Sequence, residues 1–344
     1  MVPSLADDGL LVIVLVVPLF AVLFLMPSYL RALARRGRVV DDVHKSRPTK
    51  VPNPVGPLLF IGAVGGEAAA YVAFGSLVPV AVLGCAAIAF AVGFADDLYV
   101  LGARTKPLLL LLASLPLVAL VMLQPDLYQS SLSFPVIGAT SEHFTIYTAL
   151  VVLSFPVVAN AFNMMDSFNG QVSGFTLIVS VALAFGVALK TAVTPEFSIV
   201  HLAAALPLVA VSGAFLVFNR YPSRGFDGDS GSLMFGAMFA ALAVTGGVEI
   251  AAIVAIMPAI LNSFYILSSV RGLVERRKMP SRPTYIGGDG RLYASMEPNA
   301  PTTLVRMLLF DGPMTERELV GAILTLTVVA CLLAGLTSLM TWVF

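Results

Sequence analysis

The sequence predicts an all-α integral membrane protein of about ten transmembrane helices. Of its 344 residues, 58% are hydrophobic and only 12% are charged, a composition that excludes an ordinary soluble globular protein. The long apolar stretches are continuous rather than alternating, which indicates helices and not a β-barrel. The charges are also segregated, because 19 of the 20 Lys and Arg residues lie on one side of these stretches and only Lys190 lies on the other.

The predicted spans follow from the length of each apolar stretch. A helix needs about 20 mostly apolar residues to cross a bilayer. Ten stretches come near this length: 9–30, 57–75, 76–94, 107–123, 145–160, 172–189, 198–218, 231–246, 248–270 and 319–343. The first follows Asp7 and Asp8 rather than basic residues, so we expect a membrane anchor and not a cleaved signal peptide.

The loops between the spans indicate the orientation. By alternation, five loops share one face: 31–56, 95–106, 160–171, 219–230 and 271–318. This face carries almost all the cations, so the positive-inside rule makes it cytoplasmic and places both termini outside. We expect a single polytopic domain over residues 1–344. Cys85 and Cys331 both lie in predicted spans, so no disulfide framework is expected.

An acidic pair ends the third span on this face. Asp96 and Asp97 follow Gly93-Phe94-Ala95, and Lys106 begins the next span. Adjacent carboxylates at the edge of hydrocarbon are costly and raise one another's pKa unless a cation is near. A divalent metal or a lysine that binds phosphate would relieve both costs. The alternative is a solvated helix end.

Four polar residues recur at every third position before Gly170: Asn160, Asn163, Asp166 and Asn169. Neighbours in this series share a helix face. Amide and carboxylate oxygens suit Mg²⁺, and amides can also bind the edge of a uracil ring. The alternative is hydrogen bonding between membrane helices by the Asn side chains.

Two further acids lie in a glycine-rich segment that precedes the eighth span. Asp227 and Asp229 occur in Gly225-Phe226-Asp227-Gly228-Asp229-Ser230-Gly231-Ser232. Glycines permit close approach to a ligand, and a helix N-terminus favours phosphate while carboxylates favour a bridging metal. On its own this segment is also compatible with an ordinary turn.

Basic residues in the first and last cytoplasmic loops are candidate phosphate ligands. Lys45 lies in the first loop, and the last loop contains Arg276, Arg277, Lys278 and Arg282. The guanidinium fork of Arg suits a diphosphate. The alternative for both loops is attraction to anionic lipid headgroups.

Taken together, the motifs resemble the polyprenyl-phosphate N-acetylhexosamine-1-phosphate transferases. The resemblance extends from Asp41 to Glu316 and rests on an ordered set of segments. They are Gly93-Phe94-Ala95-Asp96-Asp97, Asn160-Ala161-Phe162-Asn163 with Asn169-Gly170, and Phe226-Asp227-Gly228-Asp229. Two features of the last loop make the chain more similar to the eukaryotic and archaeal enzymes that act on dolichyl phosphate. The loop has no His-x-His cluster, and it contains the stretch Arg276-Arg277-Lys278-Met279-Pro280.

The resemblance implies a fold and a reaction. It implies ten spans, a cytoplasmic active site, and transfer of GlcNAc-1-phosphate from UDP-GlcNAc to a polyprenyl (dolichyl) phosphate with release of UMP. It implies Mg²⁺, with Mn²⁺ as an alternative, held by Asn163 and Asp229. Asp96, Asp97 and Lys106 would be catalytic. The substrate-binding residues would be Lys45, Asn160, Asp166, Asn169, Asp227, Arg276, Arg277, Lys278 and Arg282, with Asn169 at the uridine.

Two departures from the family pattern bear on the donor sugar. Asp166 stands where the eukaryotic motif is apolar, and Lys278 replaces an expected Arg, which keeps the charge but loses bidentate geometry. A bacterial-type transferase for another UDP-hexosamine, including a muramoyl-peptide donor, is therefore the main alternative. Two other protein classes are further alternatives. One is a secondary transporter, which would place its charges near the membrane centre. The other is a polytopic glycosyltransferase that uses the same donor but releases UDP.

Other expectations concern location and partners. We expect a multi-pass protein of an archaeal cell membrane, in contact with the bilayer, with no nucleic-acid partner and with a homodimer implied by resemblance. The isoprenoid tail of the acceptor would lie in a groove between spans, and we expect Glu67 and the Gly62–Gly66 region to border it.

Overall fold

The computed structural model describes residues 5–45, 47, 49–124, 131–141, 144–274, 279 and 281–343. The described chain is mostly helical. Its α-helices are α1 Leu5–Arg35, α2 Gly56–Phe74, α3 Leu77–Tyr99, α4 Thr105–Leu110, α5 Leu115–Leu123, α6 Phe144–Met165, α7 Gln171–Val193, α8 Val200–Asn219, α9 Gly228–Gly246, α10 Glu249–Ala255, α11 Met257–Ser269, α12 Leu304–Leu308 and α13 Glu316–Trp342. A 3₁₀ turn at Leu111–Ser114 joins α4 to α5, and another at Leu309–Asp311 follows α12.

Three short antiparallel hairpins complete the secondary structure of the described residues. They pair β1 Val39–Asp41 with β2 Lys50–Pro52, β3 Ser131–Phe134 with β4 Gly138–Ser141, and β5 Thr284–Ile286 with β6 Leu292–Ala294. In β1 and β2, Val40 lies opposite Val51. Each hairpin lies in a connection between long helices, so the strands shape loops and do not form a layer of the core.

The protein is a multi-pass membrane protein. Within the described ranges, eight helices are long and apolar enough to cross a membrane, and a ninth span results if α10 and α11 count as one. Nine of the ten predicted spans correspond to these segments. The tenth, at 231–246, is α9, which is helical over 19 residues but begins with a polar turn. The count of ten and the position of both termini outside stay predictions.

Helix α9 lies at the centre of the bundle and is buried along nearly its whole length. It packs against α3 and α6 most extensively, and also against α2, α7 and α8. Two glycines allow the close crossings. A Cβ on Gly93 of α3 would lie 2.3 Å from the Asp229 carbonyl oxygen, and a Cβ on Gly236 would lie 2.6 Å from the Ala159 Cα. Small residues at these contacts let the helix backbones approach closely.

The predicted span over 248–270 is two helices rather than one. Helices α10 and α11 meet at Ile256 with a bend of 65°. Pro258 lies in the first turn of α11. A proline has no N–H to donate and its ring clashes with the carbonyl four residues earlier, so it ends the preceding helical ladder. The apolar composition indicated a span here, but the proline divides it.

The expected groove beside Glu67 is absent from the described face of α2. Glu67 is only 1% exposed, and neither carboxylate oxygen has a hydrogen-bond partner among the residues that the structure describes. A Cβ on Gly62 would meet Val22 of α1 and Val211 of α8. This face of α2 is therefore packed between two helices, and the expectation that it borders a lipid groove is wrong.

Lys190, the one cation on the far side by sequence, is buried near the C-terminus of α7. Its ammonium lies 4.3 Å from the ring centroid of Phe197 and 4.5 Å from that of Trp342. It also donates to the Gly247 carbonyl at 3.4 Å. Aromatic faces attract a cation electrostatically, so the side chain is accommodated within the protein rather than at the lipid surface.

The long loop before α13 has its own structure. β5, β6 and α12 lie within it, and Leu292 pairs with Met314 close to the start of α13. The guanidinium of Arg306 donates to three carbonyl oxygens: Ser295 at 2.9 Å, Ala300 at 2.6 Å and Glu297 at 3.1 Å. One side chain thus fixes the turn between β6 and α12.

Candidate active site

The acidic pair at the end of α3 meets the N-terminus of α9. Asp97 Oδ1 accepts a hydrogen bond from the Asp229 N–H at 2.8 Å. Its Oδ2 accepts from the Ser230 N–H at 3.1 Å and from the Ser230 hydroxyl at 2.6 Å. The first N–H groups of a helix have no partner within the helix. Asp97 therefore caps α9 from a neighbouring helix and fixes the turn that carries Asp229.

Lys106 lies between two carboxylates at the start of α4. Its ammonium is 2.6 Å from Asp96 Oδ2 and forms an ion pair with Asp229 Oδ2. Asp96 Oδ1 also accepts from the Leu101 N–H. The side chains of Lys106, Asp96 and Asp229 are 15%, 12% and 30% exposed, so this cluster is partly open to an incoming ligand.

Asn163 of α6 completes what we call the Lys106 cluster, which consists of Asp96, Lys106, Asn163 and Asp229. Its amide nitrogen donates to Asp229 Oδ1 at 2.8 Å and to the Ser232 hydroxyl at 2.9 Å. The two residues implied as metal ligands are thus in direct contact. Mg²⁺ is commonly held by one or two protein oxygens together with substrate phosphates, so this donor pair fits a cation shared with a diphosphate.

Asp227 lies immediately before α9 and is fully buried. Neither of its carboxylate oxygens has a hydrogen-bond partner among the described residues. Burial raises the pKa of Asp227 well above its ordinary value, and the negative charge of Asp166 raises it further. Its carbonyl accepts from the Gly56 N–H at 3.0 Å. Its backbone therefore joins the starts of α2 and α9.

A second buried group, which we call the Asp42 cluster, contains Asp42, Lys45, Asn169 and Glu316. The Asn169 amide nitrogen donates to Asp42 Oδ2 at 3.0 Å, and the Asn169 N–H donates to Glu316 Oε1 at 2.9 Å. Lys45 is 3.0 Å from Asp42 Oδ2 and also pairs with Glu316. Burial alone would raise the pKa of Asp42, but the hydrogen bonds from Asn169 and Lys45 and the charge of Lys45 lower it overall.

Rings surround the Asp42 cluster. The Lys45 ammonium lies 4.4 Å from the Tyr221 ring centroid, and the Arg317 guanidinium lies 4.9 Å from the same ring. His44 stacks on Phe168 with 4.2 Å between ring centroids. These contacts tie the first loop to the chain on both sides of α7 and α8. Cation–π contacts of this kind favour a defined position for each charge.

Six of the fourteen predicted site residues lie in these two clusters: Asp96, Lys106, Asn163 and Asp229 in one, and Lys45 and Asn169 in the other. Asn160 donates to the Pro156 carbonyl of its own helix at 2.7 Å, as a structural amide would. Arg282 is exposed at the surface. The predicted diphosphate ligands Arg276, Arg277 and Lys278 lie outside the described residues.

Sequence reasoning missed Asp42 and Glu316 of the Asp42 cluster and two serines beside the Lys106 cluster. Ser230 and Ser232 are partners of Asp97 and Asn163, and their signal was their place directly after Asp229. Glu316 looked like an ordinary first-turn acid, because Thr315 and Glu318 form a capping box around it. A buried position for Glu316 could be inferred only from its contacts with distant residues.

Comparison with known proteins finds a family that is similar to the central part of the chain. A sequence model of glycosyl transferase family 4 matches residues 79–247, which include every member of the Lys106 cluster. The segment 79–247, slightly less than half of the chain, is thus similar to glycosyl transferase family 4. The Asp42 cluster has only Asn169 within the matched residues, so the family-4 model covers one cluster completely and the other in part.

Proteins that are similar to this chain carry related names. A protein of Sulfolobus acidocaldarius, provisionally named a UDP-N-acetylglucosamine–dolichyl-phosphate N-acetylglucosaminephosphotransferase, is 26% identical over 306 residues, 87% of this chain and 88% of that one. The Dictyostelium discoideum protein of that name is 24% identical over 253 residues, 66% of this chain and 60% of that one. The phospho-N-acetylmuramoyl-pentapeptide-transferase of Clostridium perfringens is 30% identical over 135 residues, 38% and 37% of the two chains.

Proposed function

We propose that this protein transfers GlcNAc-1-phosphate from UDP-GlcNAc to a polyprenyl phosphate, specifically dolichyl phosphate, giving polyprenyl-diphospho-GlcNAc and UMP. The observation that carries the proposal is the Lys106 cluster, in which one cation, two carboxylates and an amide meet at helix ends. The names of the Sulfolobus acidocaldarius and Dictyostelium discoideum relatives, matched over 306 and 253 residues, support the donor and the acceptor.

The proposed location is an archaeal cell membrane, with the active site on the cytoplasmic face. The cations support this orientation, since 19 of 20 lie on the face that carries both clusters. A carrier lipid would keep its phosphate at this interface and its tail in the bilayer. An enzyme anchored by many spans meets such a carrier without extracting it from the membrane.

The site residues would act mainly by offsetting the negative charge of the two substrates. Both substrates are anionic, so their approach is opposed unless cations lie between them. Lys106 lies at the membrane edge, where its ammonium can turn from Asp96 and Asp229 to a lipid phosphate. Asn163 and Asp229 would hold Mg²⁺, or Mn²⁺, and the bound cation would supply positive charge that offsets the negative charge of the diphosphate.

Direct attack is the mechanism that these contacts support. An oxygen of the lipid phosphate attacks the β-phosphorus, and the bond from that phosphorus to the oxygen bridging to the α-phosphate breaks. UMP leaves with this oxygen and its electron pair. The lipid phosphate is largely ionised at neutral pH, so no general base is required. Both oxygens of Asp97 are engaged by α9, which supports a positioning role and not a covalent intermediate.

A double-label assay tests the proposal. Purified protein receives Mg²⁺, dolichyl phosphate and UDP-GlcNAc labelled in the sugar and in the β-phosphate. We expect both labels in the lipid product and stoichiometric UMP. Transfer of the sugar label alone with release of UDP would reject the phosphotransferase assignment.

A muramoyl-peptide donor is the second candidate, because the match to the Clostridium perfringens protein has a higher identity over its shorter length. The same assay with UDP-N-acetylmuramoyl-pentapeptide separates the two donors. We expect turnover with UDP-GlcNAc and none with the muramoyl donor; the reverse result would replace the proposed substrate within the same reaction class.

A further inference from the structure

The side-chain amide of Asn169 has a fixed orientation. An ionised carboxylate only accepts hydrogen bonds, so the group that faces Asp42 Oδ2 at 3.0 Å must be the amide nitrogen. Asp42 is itself held by Lys45 at 3.0 Å and by the His44 N–H at 3.3 Å. Asp42 is 7% exposed and Asn169 is 3% exposed. Turning the amide over would set its oxygen against a buried carboxylate.

The fixed orientation determines what Asn169 can offer to a ligand. With the nitrogen directed at Asp42, the amide presents its oxygen Oδ1 elsewhere. Among the described residues, no hydrogen-bond donor reaches this oxygen. The group that Asn169 leaves without a partner among the described residues is therefore an acceptor, and a ligand group that binds it must carry an N–H or O–H.

Pyrimidine rings differ in this respect. Uracil has a donor at N3, between two carbonyl acceptors, whereas cytosine has an acceptor at N3. An amide oxygen held at that edge attracts uracil and repels the lone pair of cytosine. A hydrogen-bonding site discriminates strongly when the wrong ligand leaves its buried polar group unpaired.

We propose that Asp42 sets the uracil preference of the donor nucleotide by holding the Asn169 oxygen toward the base. This inference rests on the proposed function and on the expectation, implied by the family resemblance, that Asn169 contacts the uridine of the donor. Asp42 is a positioning residue, because it acts through Asn169. Lys45 and Glu316 support the arrangement, since Lys45 pairs with both carboxylates and Glu316 accepts from the Asn169 backbone.

The test is the ratio of UMP to CMP binding, measured by calorimetry on the full chain in detergent with Mg²⁺. In the wild type we expect UMP to bind more tightly by about tenfold to a hundredfold, the range expected for one unpaired buried polar group. In D42N, Lys45 attracts the new amide oxygen, so the new nitrogen faces Asn169 and turns its amide over. We expect the UMP/CMP ratio to fall by about tenfold or more.

Glu316→Gln is the matched control. It removes the other carboxylate that pairs with Lys45, and its amide oxygen can still accept from the Asn169 N–H. It leaves the contact between Asp42 and the Asn169 side chain intact. We expect weaker binding of both nucleotides with an unchanged UMP/CMP ratio. An equal fall of the ratio in E316Q would show a general loosening of the site and would overturn the inference.

A reciprocal exchange provides a rescue. In D42N/N169D the buried pair keeps one carboxylate and one amide, and the carboxylate at position 169 offers only acceptor oxygens to the base. We expect the double variant to regain the uracil preference that D42N loses. Because it retains the pairing, it also tests the inference if D42N alone folds poorly.

The outcomes also separate this inference from the proposed function. A wild type that prefers UMP while D42N keeps the same ratio rejects the role of Asp42 and leaves the reaction intact. A wild type that binds neither nucleotide and shows no turnover of UDP-GlcNAc rejects both. A uracil preference lost in D42N and restored in D42N/N169D supports both.

Discussion

Substitution of Asp97 by Asn separates a positioning role from a chemical one. The carboxylate accepts three hydrogen bonds from the first turn of α9, two from Asp229 and Ser230 N–H groups and one from the Ser230 hydroxyl. An amide in its place keeps one acceptor oxygen and turns a donor toward N–H groups. Hydrogen bonds to a charged acceptor contribute about 1.5–3 kcal/mol each. Allowing for retained contacts, D97N should destabilise the fold by about 2–4 kcal/mol.

The same change should lower turnover through Asp229. Its carboxylate belongs to the turn that Asp97 caps, and a displacement of about 1 Å at a reacting centre can cost about a hundredfold in rate. We expect D97N to lower kcat by about ten- to a hundredfold together with the melting temperature. Both are measured on purified protein, with the double-label assay for rate and differential scanning fluorimetry for stability.

Ser230→Ala is the control for this prediction. It removes only the hydroxyl bond and leaves the carboxylate with both backbone N–H groups. We expect a stability loss of about 1 kcal/mol and a rate within a few-fold of wild type. If D97N instead loses nearly all turnover at an unchanged melting temperature, Asp97 takes part in the chemistry and the positioning explanation is refuted.

Three further predictions follow from other contacts. Lys106→Met should lower kcat by about a thousandfold, more than Lys106→Arg does in the same assay; equal loss would point to geometry rather than charge. Glu67→Leu should raise the melting temperature, because it replaces a buried carboxyl that has no hydrogen-bond partner among the described residues; a lower value would contradict this reasoning. Asp42 has a lowered pKa, so its stabilisation is present above its unfolded pKa of about 3.9 and is lost as pH falls through the folded value. The difference in melting temperature between wild type and D42N should therefore narrow below about pH 4, and a constant difference would contradict the ionic contribution of Asp42.

The Lys106 cluster could be predicted because its members are recognisable in the sequence as polar residues at the ends of apolar stretches. Carboxylates and amides at the ends of apolar stretches are costly in a membrane unless they meet partners. Alternation of the spans puts such ends on one face, so Asp96, Asn163 and Asp229 were expected to share a site. The fine geometry was not predictable, because the direction of each side chain depends on how α3 crosses α9.

The Asp42 cluster illustrates what one sequence does not reveal. Asp42 and Glu316 are 274 positions apart, and each has an ordinary local explanation, one in a charged loop and the other at a helix start. Their contact with Lys45 and Asn169 arises only from tertiary packing. The break at Pro258 is different, because the proline was visible and the apolar composition outweighed it in the prediction.

The burial of α9 has a consequence for the membrane in which the enzyme works. Outer helices adapt to bilayer thickness by tilting, at a modest cost per ångström of mismatch. Helix α9 touches protein along nearly its whole length, so its depth is set by α3 and α6 rather than by lipid. Tilting of the outer helices in a thinner or thicker bilayer therefore leaves Asp229 beside Lys106 and Asp97. The geometry of the Lys106 cluster is therefore independent of bilayer thickness, although the proposed acceptor is itself a lipid.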